Sequence, residues 1–306
     1  MRVVYMGTPD FAVRPLKKIS EAGHDIVGVY TQPDKAKGRS KKLIPTDVKV
    51  AAEELGLKVY QPEKLREASV VEELRALKPD IIVVAAYGQI LSEDVLNIPK
   101  YGCINIHASL LPKYRGASPI EACILNGDEK TGITIMYMAK GLDTGDIICQ
   151  EETEVGLHNT ETLTVKLSEV GAQLVVKAMK DIESGTAKRT PQNDEESCYC
   201  GKLDKSMSEI DWSKSAVEIE RAVRGLYPWP CACTTVGDKN IKIIEAEVCD
   251  VQEQSVEVGK VCEVTKKYFV IKCGDKGLKI KKLQPEGKKP MDTVAFLNGY
   301  KVEIGK

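Results

Sequence analysis

Two kinds of hydrophobic pattern alternate along the first 150 residues. Short β-branched runs, RVVYMG (2–7), DIVGVYT (25–31), LKVYQ (57–61), DIIVVAAYG (80–88) and CINIHA (103–108), are separated by amphipathic stretches such as PLKKISEAG, DVKVAAEELG and VVEELRALKP. Strand patterns that alternate with helical ones predict a parallel, doubly wound sheet with helices on its faces. TGITIMYM (131–138) predicts a further strand, DIICQEETEV (146–155) an edge strand or hairpin arm, and residues 160–184 a single helix. Together these elements predict a Rossmann-like, mostly parallel α/β domain over residues 1–189.

The pattern then changes. Residues 190–206 are polar and broken by Pro191 and Gly201, which predicts an interdomain linker. From 207 onward one helical segment, SAVEIERAVRGL, precedes a Pro-Trp-Pro turn at 228–230 and a series of short strands spaced by glycines and charged turns. About five strands in so short a span predict a small OB-like β-barrel over residues 207–306.

Composition adds three points. The chain has 306 residues, 42% hydrophobic and 29% charged, as expected of a globular protein long enough for two domains. Its formal net charge of −1 conceals a basic C-terminal segment, where residues 259–306 hold 12 Lys against 5 acidic residues. Met1 leads directly into a strand pattern with no signal peptide, and no apolar run is long enough for a membrane span. The ten cysteines are therefore expected to be reduced thiols of a cytoplasmic protein. Cys198/Cys200 and Cys231/Cys233 lack both the usual Cys-x2-Cys spacing and a nearby histidine, so no metal is expected.

The candidate chemistry lies in GCINIHASLLPKYRGASPI (102–120). Period-two alternation puts Asn105 and His107 on one face of a buried strand, near the C-terminal end where open α/β sheets bind ligands. On its own such a pair is most often a core histidine beside an amide. The Gly-bounded loop of KGLDTGDI offers Asp143 as a third member, with Asp146 as the alternative acid or a turn residue. Acyl transfer to an amine needs fixed donors where an oxyanion develops and a route for the amine proton. Asn, His and Asp supply both, and the amine itself is the nucleophile. MGTPDF after the first strand has Gly7 but lacks the other glycines of a dinucleotide fingerprint, so NAD is not expected.

Asn105-x-His107, Ser109-Leu-Leu-Pro112, Lys113-Tyr-Arg-Gly116 and Gly-Leu-Asp143-Thr-Gly together resemble the 10-formyltetrahydrofolate-dependent formyltransferases. GTPDF, TQPD (31–34), KAKGRSKKL, AYGQIL (86–91) and the C-terminal region extend the likeness, over essentially the whole chain, to the branch that formylates methionine on initiator tRNA. The resemblance implies Asn105, His107 and Asp143 as catalytic residues. It implies a folate site lined by Ser109, Leu110, Leu111 and Pro112, with a pterin pocket from backbone around Tyr87, Gly88 and Ile90. By charge alone Lys35, Lys37, Arg39, Lys41 and Lys42 read as a solvated loop, although one placed at the ligand end of the sheet. The resemblance makes it the segment that meets the acceptor arm of initiator tRNA, with Arg39 as its key residue. It further implies 10-formyltetrahydrofolate as formyl donor, initiator Met-tRNA as partner and no membrane; a monomer is expected. Ala108 and Tyr114 are mild departures, standing where some members have Gly and many have Trp. The rival activities are formylation of a nucleotide-linked amino sugar, for which a basic loop is not needed, and hydrolysis of the same folate.

Overall fold

A computed structural model describes residues 1–37, 42–251 and 255–306. It divides into two compact units, one of residues 1–119, 130–154 and 164–200, the other of 120–129, 155–163 and 201–306.

The first unit is built on strands β1 (Arg2–Gly7), β2 (Asp25–Tyr30), β5 (Val59–Tyr60), β6 (Ile81–Ala85), β7 (Cys103–His107), β9 (Lys130–Tyr137) and β10 (Ile147–Glu154). They form one sheet in the order β10-β9-β7-β6-β1-β2-β5. The five strands from β5 to β7 are mutually parallel, whereas β9 and β10 run antiparallel at one edge. The mostly parallel sheet expected from the alternating pattern is thus present, and DIICQEETEV supplies its edge strand. The hairpin β3 (Lys35–Lys37) and β4 (Lys42–Ile44) and the short pair β8 (Arg115–Gly116) and β11 (Tyr199–Cys200) lie outside this sheet.

Helices α1 (Val13–Glu21), α2 (Asp47–Glu54), α3 (Ala68–Ala76) and α4 (Glu93–Leu96) make the crossovers. Thr46 caps α2 by accepting the Lys49 N–H, satisfying one of the orphan donors of its first turn. Helix α5 (Pro119–Asn126) precedes β9, and α6 (Thr160–Ser184) realises the predicted 25-residue helix in full. Strands β6 and β7 are buried at every position, as strands covered on both faces must be. Val4, Met6, Ile82, Val84 and Cys103 form a core with Leu65, Val71, Leu74 and Val95 on the α3–α4 side.

In the second unit β12 (Ala232–Val236), β13 (Lys239–Cys249), β14 (Val261–Val264), β15 (Phe269–Lys272), β16 (Gly277–Pro285) and β17 (Met291–Asp292) make an antiparallel sheet. Register shifts between Ile243 and Ala246 bend β13 where it crosses β16, since an extra residue on one strand increases local twist. The predicted barrel accordingly takes the form of a curled half-barrel. Helix α7 (Ala216–Gly225), which opens with a Ser215/Glu218 capping box, contributes Ile219 and Val223 to the core of this sheet, and α8 (Thr293–Gly299) contributes Phe296. Among the described residues no helix is long and apolar enough to cross a membrane.

Candidate active site

Because β1, β6 and β7 are parallel, their C-terminal ends fall on one edge of the sheet. The strand order reverses direction between β1 and β6, and crevices at such switch points are where open α/β sheets take ligands. His107 is the last residue of β7, and Asn105 sits two positions earlier on the same face; both are buried.

The loop after β9 brings Asp143 to this pair. Its Oδ2 lies 3.8 Å from His107 Nδ1, and its Oδ1 lies 3.5 Å from Asn105 Nδ2. Oδ2 also accepts the Gly116 N–H at 2.9 Å. On the other edge of the imidazole, Nε2 is 2.9 Å from the Tyr114 carbonyl oxygen. A carbonyl only accepts, so Nε2 carries the proton of that bond and Nδ1 is the edge turned toward the carboxylate. Asp146, the alternative acid, does not reach this cluster: its carboxylate lies 3.6 Å from Arg189.

Asp143 has φ +52°, a left-handed conformation that Asp tolerates better than most residues. Gly145 is required for close approach, because a Cβ there would run into the Tyr137 carbonyl. The loop is held from outside by Gln192, whose Nε2 donates to the Asp143 and Gly145 carbonyls, each at 2.8 Å. Gln192 lies in the stretch predicted as linker, part of which folds back onto the first unit through the parallel pair β8/β11.

The Ser-Leu-Leu-Pro turn is pinned by residues that the sequence did not single out. Thr134, opposite His107 across β7/β9, donates to the Ser109 carbonyl at 2.6 Å and accepts the Leu111 N–H at 3.0 Å. Gln150 on β10 donates to the Leu111 carbonyl at 2.9 Å. Ser109 spends its hydroxyl on the Lys113 carbonyl, Leu111 is buried, and Leu110 and Pro112 are partly exposed. A hydroxyl at an inward position of an apolar strand was the available signal for Thr134; Gln150 and Gln192 carried none.

The Tyr87 side chain belongs to the core with Tyr30, which leaves its backbone to meet a ligand at this edge of the sheet. Its carbonyl accepts Thr8 Oγ1 at 2.8 Å and Gln32 Nε2 at 3.2 Å. Gly88 follows at φ +87°, and Ile90 is 90% exposed, free of the core. Burial pushes the Cys103 thiol up to about 12, which removes it as a nucleophile on this strand. Among the described residues no group of three His, Cys, Asp or Glu side chains is arranged to hold a metal ion.

Of the basic segment, Lys35 is exposed on β3. Lys37 and Lys42 are backbone partners in the β3/β4 register, whereas Arg39 and Lys41 lie outside the described residues. The root of the hairpin is fixed by Asp34, which accepts Lys49 Nζ at 2.7 Å and Gln61 Nε2 at 2.6 Å. These two bonds hold its carboxyl below the ordinary carboxylate value. A depressed pKa stabilises the fold above the unfolded value and is lost as pH falls through the folded one. Asp34→Asn is expected to lower the melting temperature by a constant amount between pH 8 and 5. The gap should close only below about pH 4, and thermal melts of both proteins across that range check it.

A buried amide and imidazole joined by a partly buried carboxylate at the C-terminal edge of a mostly parallel sheet mark an α/β enzyme of the acyl-transfer type. Comparison with known proteins agrees: residues 1–179 match the formyl transferase family and residues 202–301 the formyl transferase C-terminal domain. A methionyl-tRNA formyltransferase of Lachnospira eligens is 50% identical over 310 residues, covering 100% of this chain and 98% of its own. The chain belongs to the methionyl-tRNA formyltransferase family.

Two solved structures share the fold. HypX from Aquifex aeolicus in complex with tetrahydrofolic acid has a TM-score of 0.67 at 17% identity, over 99% of this chain and 50% of that one, so the present chain spans about half of HypX. An N-formyltransferase from Helicobacter canadensis, in complex with folinic acid and dTDP-3-aminofucose, has a TM-score of 0.67 at 21% identity over 92% of this chain and 98% of that one.

Proposed function

We propose that this protein transfers the formyl group of 10-formyltetrahydrofolate to the α-amino group of methionine carried on initiator tRNA, acting as a cytoplasmic monomer. The observation that carries the reading is the Asn105–His107–Asp143 cluster in a chain half identical, end to end, to a methionyl-tRNA formyltransferase. The amine attacks the formyl carbon, the C–N bond to the folate breaks, one proton leaves the amine and the folate nitrogen gains one. Asn105 Nδ2 and, in the imidazolium form, His107 Nδ1–H are the donors for the oxyanion of the tetrahedral intermediate, since the Nε2 proton is taken by the Tyr114 carbonyl. Asp143 orients His107 and takes the amine proton, directly or through water.

The crevice between the Tyr87–Ile90 backbone and the Ser109–Pro112 turn receives the folate. Backbone near Gly88 recognises the pterin, and Leu110 and Pro112 offer apolar contact. Lys35, Lys37, Arg39, Lys41 and Lys42 meet the acceptor arm, supported by the position of β3 just after the C-terminal end of β2, on the same sheet edge as His107. Lysines of the curled sheet give salt-dependent contacts to tRNA phosphates.

Incubation with formyl-labelled donor tests the reading. Label is expected on Met-tRNA; label on an amino-sugar nucleotide, or released as formate at the same rate without acceptor, overturns it. Arg39→Ala is expected to weaken productive use of Met-tRNA while folate binding is kept. Equal loss of both removes the loop from acceptor recognition.

A further inference from the structure

Arg115 is the largest fully buried side chain among the described residues, 2% exposed, and nothing in the proposed chemistry uses it. A guanidinium does not lose its proton in a protein, so its burial demands partners. Its Nε and Nη2 both donate to Gln192 Oε1, at 3.0 and 2.9 Å. Nη2 also donates to Asp194 Oδ1 at 2.7 Å, and Nη1 lies 3.4 Å from the Tyr199 hydroxyl. Burial opposes the charge, and the Tyr199 and Asp194 contacts outweigh it, so the guanidinium is held charged.

This fixes the Gln192 amide. Arg115 presents only donors, so the amide oxygen must face it and the NH2 must face the other way. There Nε2 meets the two carbonyls flanking the Asp143 turn, Asp143 O and Gly145 O. We propose that Arg115 and Gln192 are positioning residues for formyl transfer: the guanidinium locks the Gln192 amide, which clamps the Asp143–Gly145 backbone and so aims the Asp143 carboxylate at Asn105 and His107. The same strand β8 supplies both ends of the device. Gly116 N–H, one residue beyond Arg115, holds Asp143 Oδ2 directly. The loop is thus gripped by its carboxylate from Gly116 and by its backbone from Gln192, whose amide the neighbouring Arg115 locks. A carboxylate carried on a left-handed residue in a glycine-bounded loop needs such a grip, because displacement by about 1 Å costs on the order of 100-fold in rate.

The inference rests on the catalytic assignment of Asp143, and the experiment separates the two. Gln192→Glu keeps shape and pairs with Arg115, but turns an acceptor toward the two carbonyls. Gln192→Leu removes the clamp without adding charge. In the full-length protein both are expected to lower kcat for Met-tRNA formylation about 10- to 100-fold, with KM for both substrates within about threefold and secondary structure intact. Arg115→Lys is expected to share the kcat loss, since an ammonium lacks the guanidinium fork. If Gln192 acts through Asp143, adding Gln192→Glu to Asp143→Ala costs little beyond Asp143→Ala alone. A folded Gln192→Glu protein with parent kcat, a loss confined to KM, or full additivity with Asp143→Ala overturns the proposal. Parent activity in Asp143→Ala overturns instead the assignment on which it rests.

Discussion

His107→Ala is expected to lower formylation turnover by about 100- to 1,000-fold with KM for the folate donor within about threefold. The imidazole is held through Nε2–H by the Tyr114 carbonyl, with the Asp143 carboxylate 3.8 Å from Nδ1. It is therefore in place before substrate arrives, which is what makes a donor effective in a transition state rather than in binding alone. Asn105→Ala and Asp143→Ala are expected to have effects of similar size. Pairs of these substitutions should cost much less than the product of the singles, because residues that serve one intermediate act as a unit. Steady-state kinetics with Met-tRNA decide the matter, and turnover near the parent rate in folded His107→Ala refutes the assignment.

Gly116→Ala combines a stability defect with a catalytic one. Gly116 has φ +119°, and a Cβ at this position would run into the Cys200 carbonyl of the paired strand β11. Backbone strain of this kind alone costs about 1–3 kcal/mol, or roughly 2–10 °C in melting temperature for a unit of this size. Relief of the clash has to move β8, and β8 carries the N–H that holds Asp143 Oδ2. Turnover is therefore expected to fall at least about 10-fold at temperatures where the protein is folded. Thermal melts and kinetics on the same preparation check both parts. A destabilised protein with parent turnover shows that the Gly116 N–H does not place the carboxylate.

The architecture of the first unit was legible because its signals are local and repeated. Alternating patterns of period two and 3.6 located the principal strands, and the long helix was predicted at its observed bounds. Asn105 and His107 could be paired from alternation alone, since a strand fixes which residues share a face. Asp143 was reached through its glycine-bounded loop, but Asp146 fitted that description equally well. The tertiary contacts separate them: Asp143 meets His107, Asn105 and Gly116, whereas Asp146 lies beside Arg189. The hydroxyl of Ser109 is used inside the turn, on the Lys113 carbonyl, a contact that no local pattern shows.

Residues 190–200 show where such reading ends. Their polar, proline-broken composition carries no periodicity, so nothing local tells that Gln192 spans to the Asp143 turn or that Tyr199–Cys200 pairs with Arg115–Gly116. These are contacts of high sequence separation, made by backbone groups and single side chains, and their cost and reward appear only once the sheet has brought distant segments together. Likewise a buried arginine looks the same in a sequence as a solvated one. By itself the sequence determined the alternating elements, the paired Asn and His, the glycine-bounded carboxylate and the basic loop, because each is written in residues near one another in the chain. The tertiary structure alone decided which acid joins the pair, how the Ser-Leu-Leu-Pro turn is pinned by Thr134 and Gln150, and what holds the Asp143 loop, because hydrogen bonds between remote segments depend on distances that no local pattern encodes.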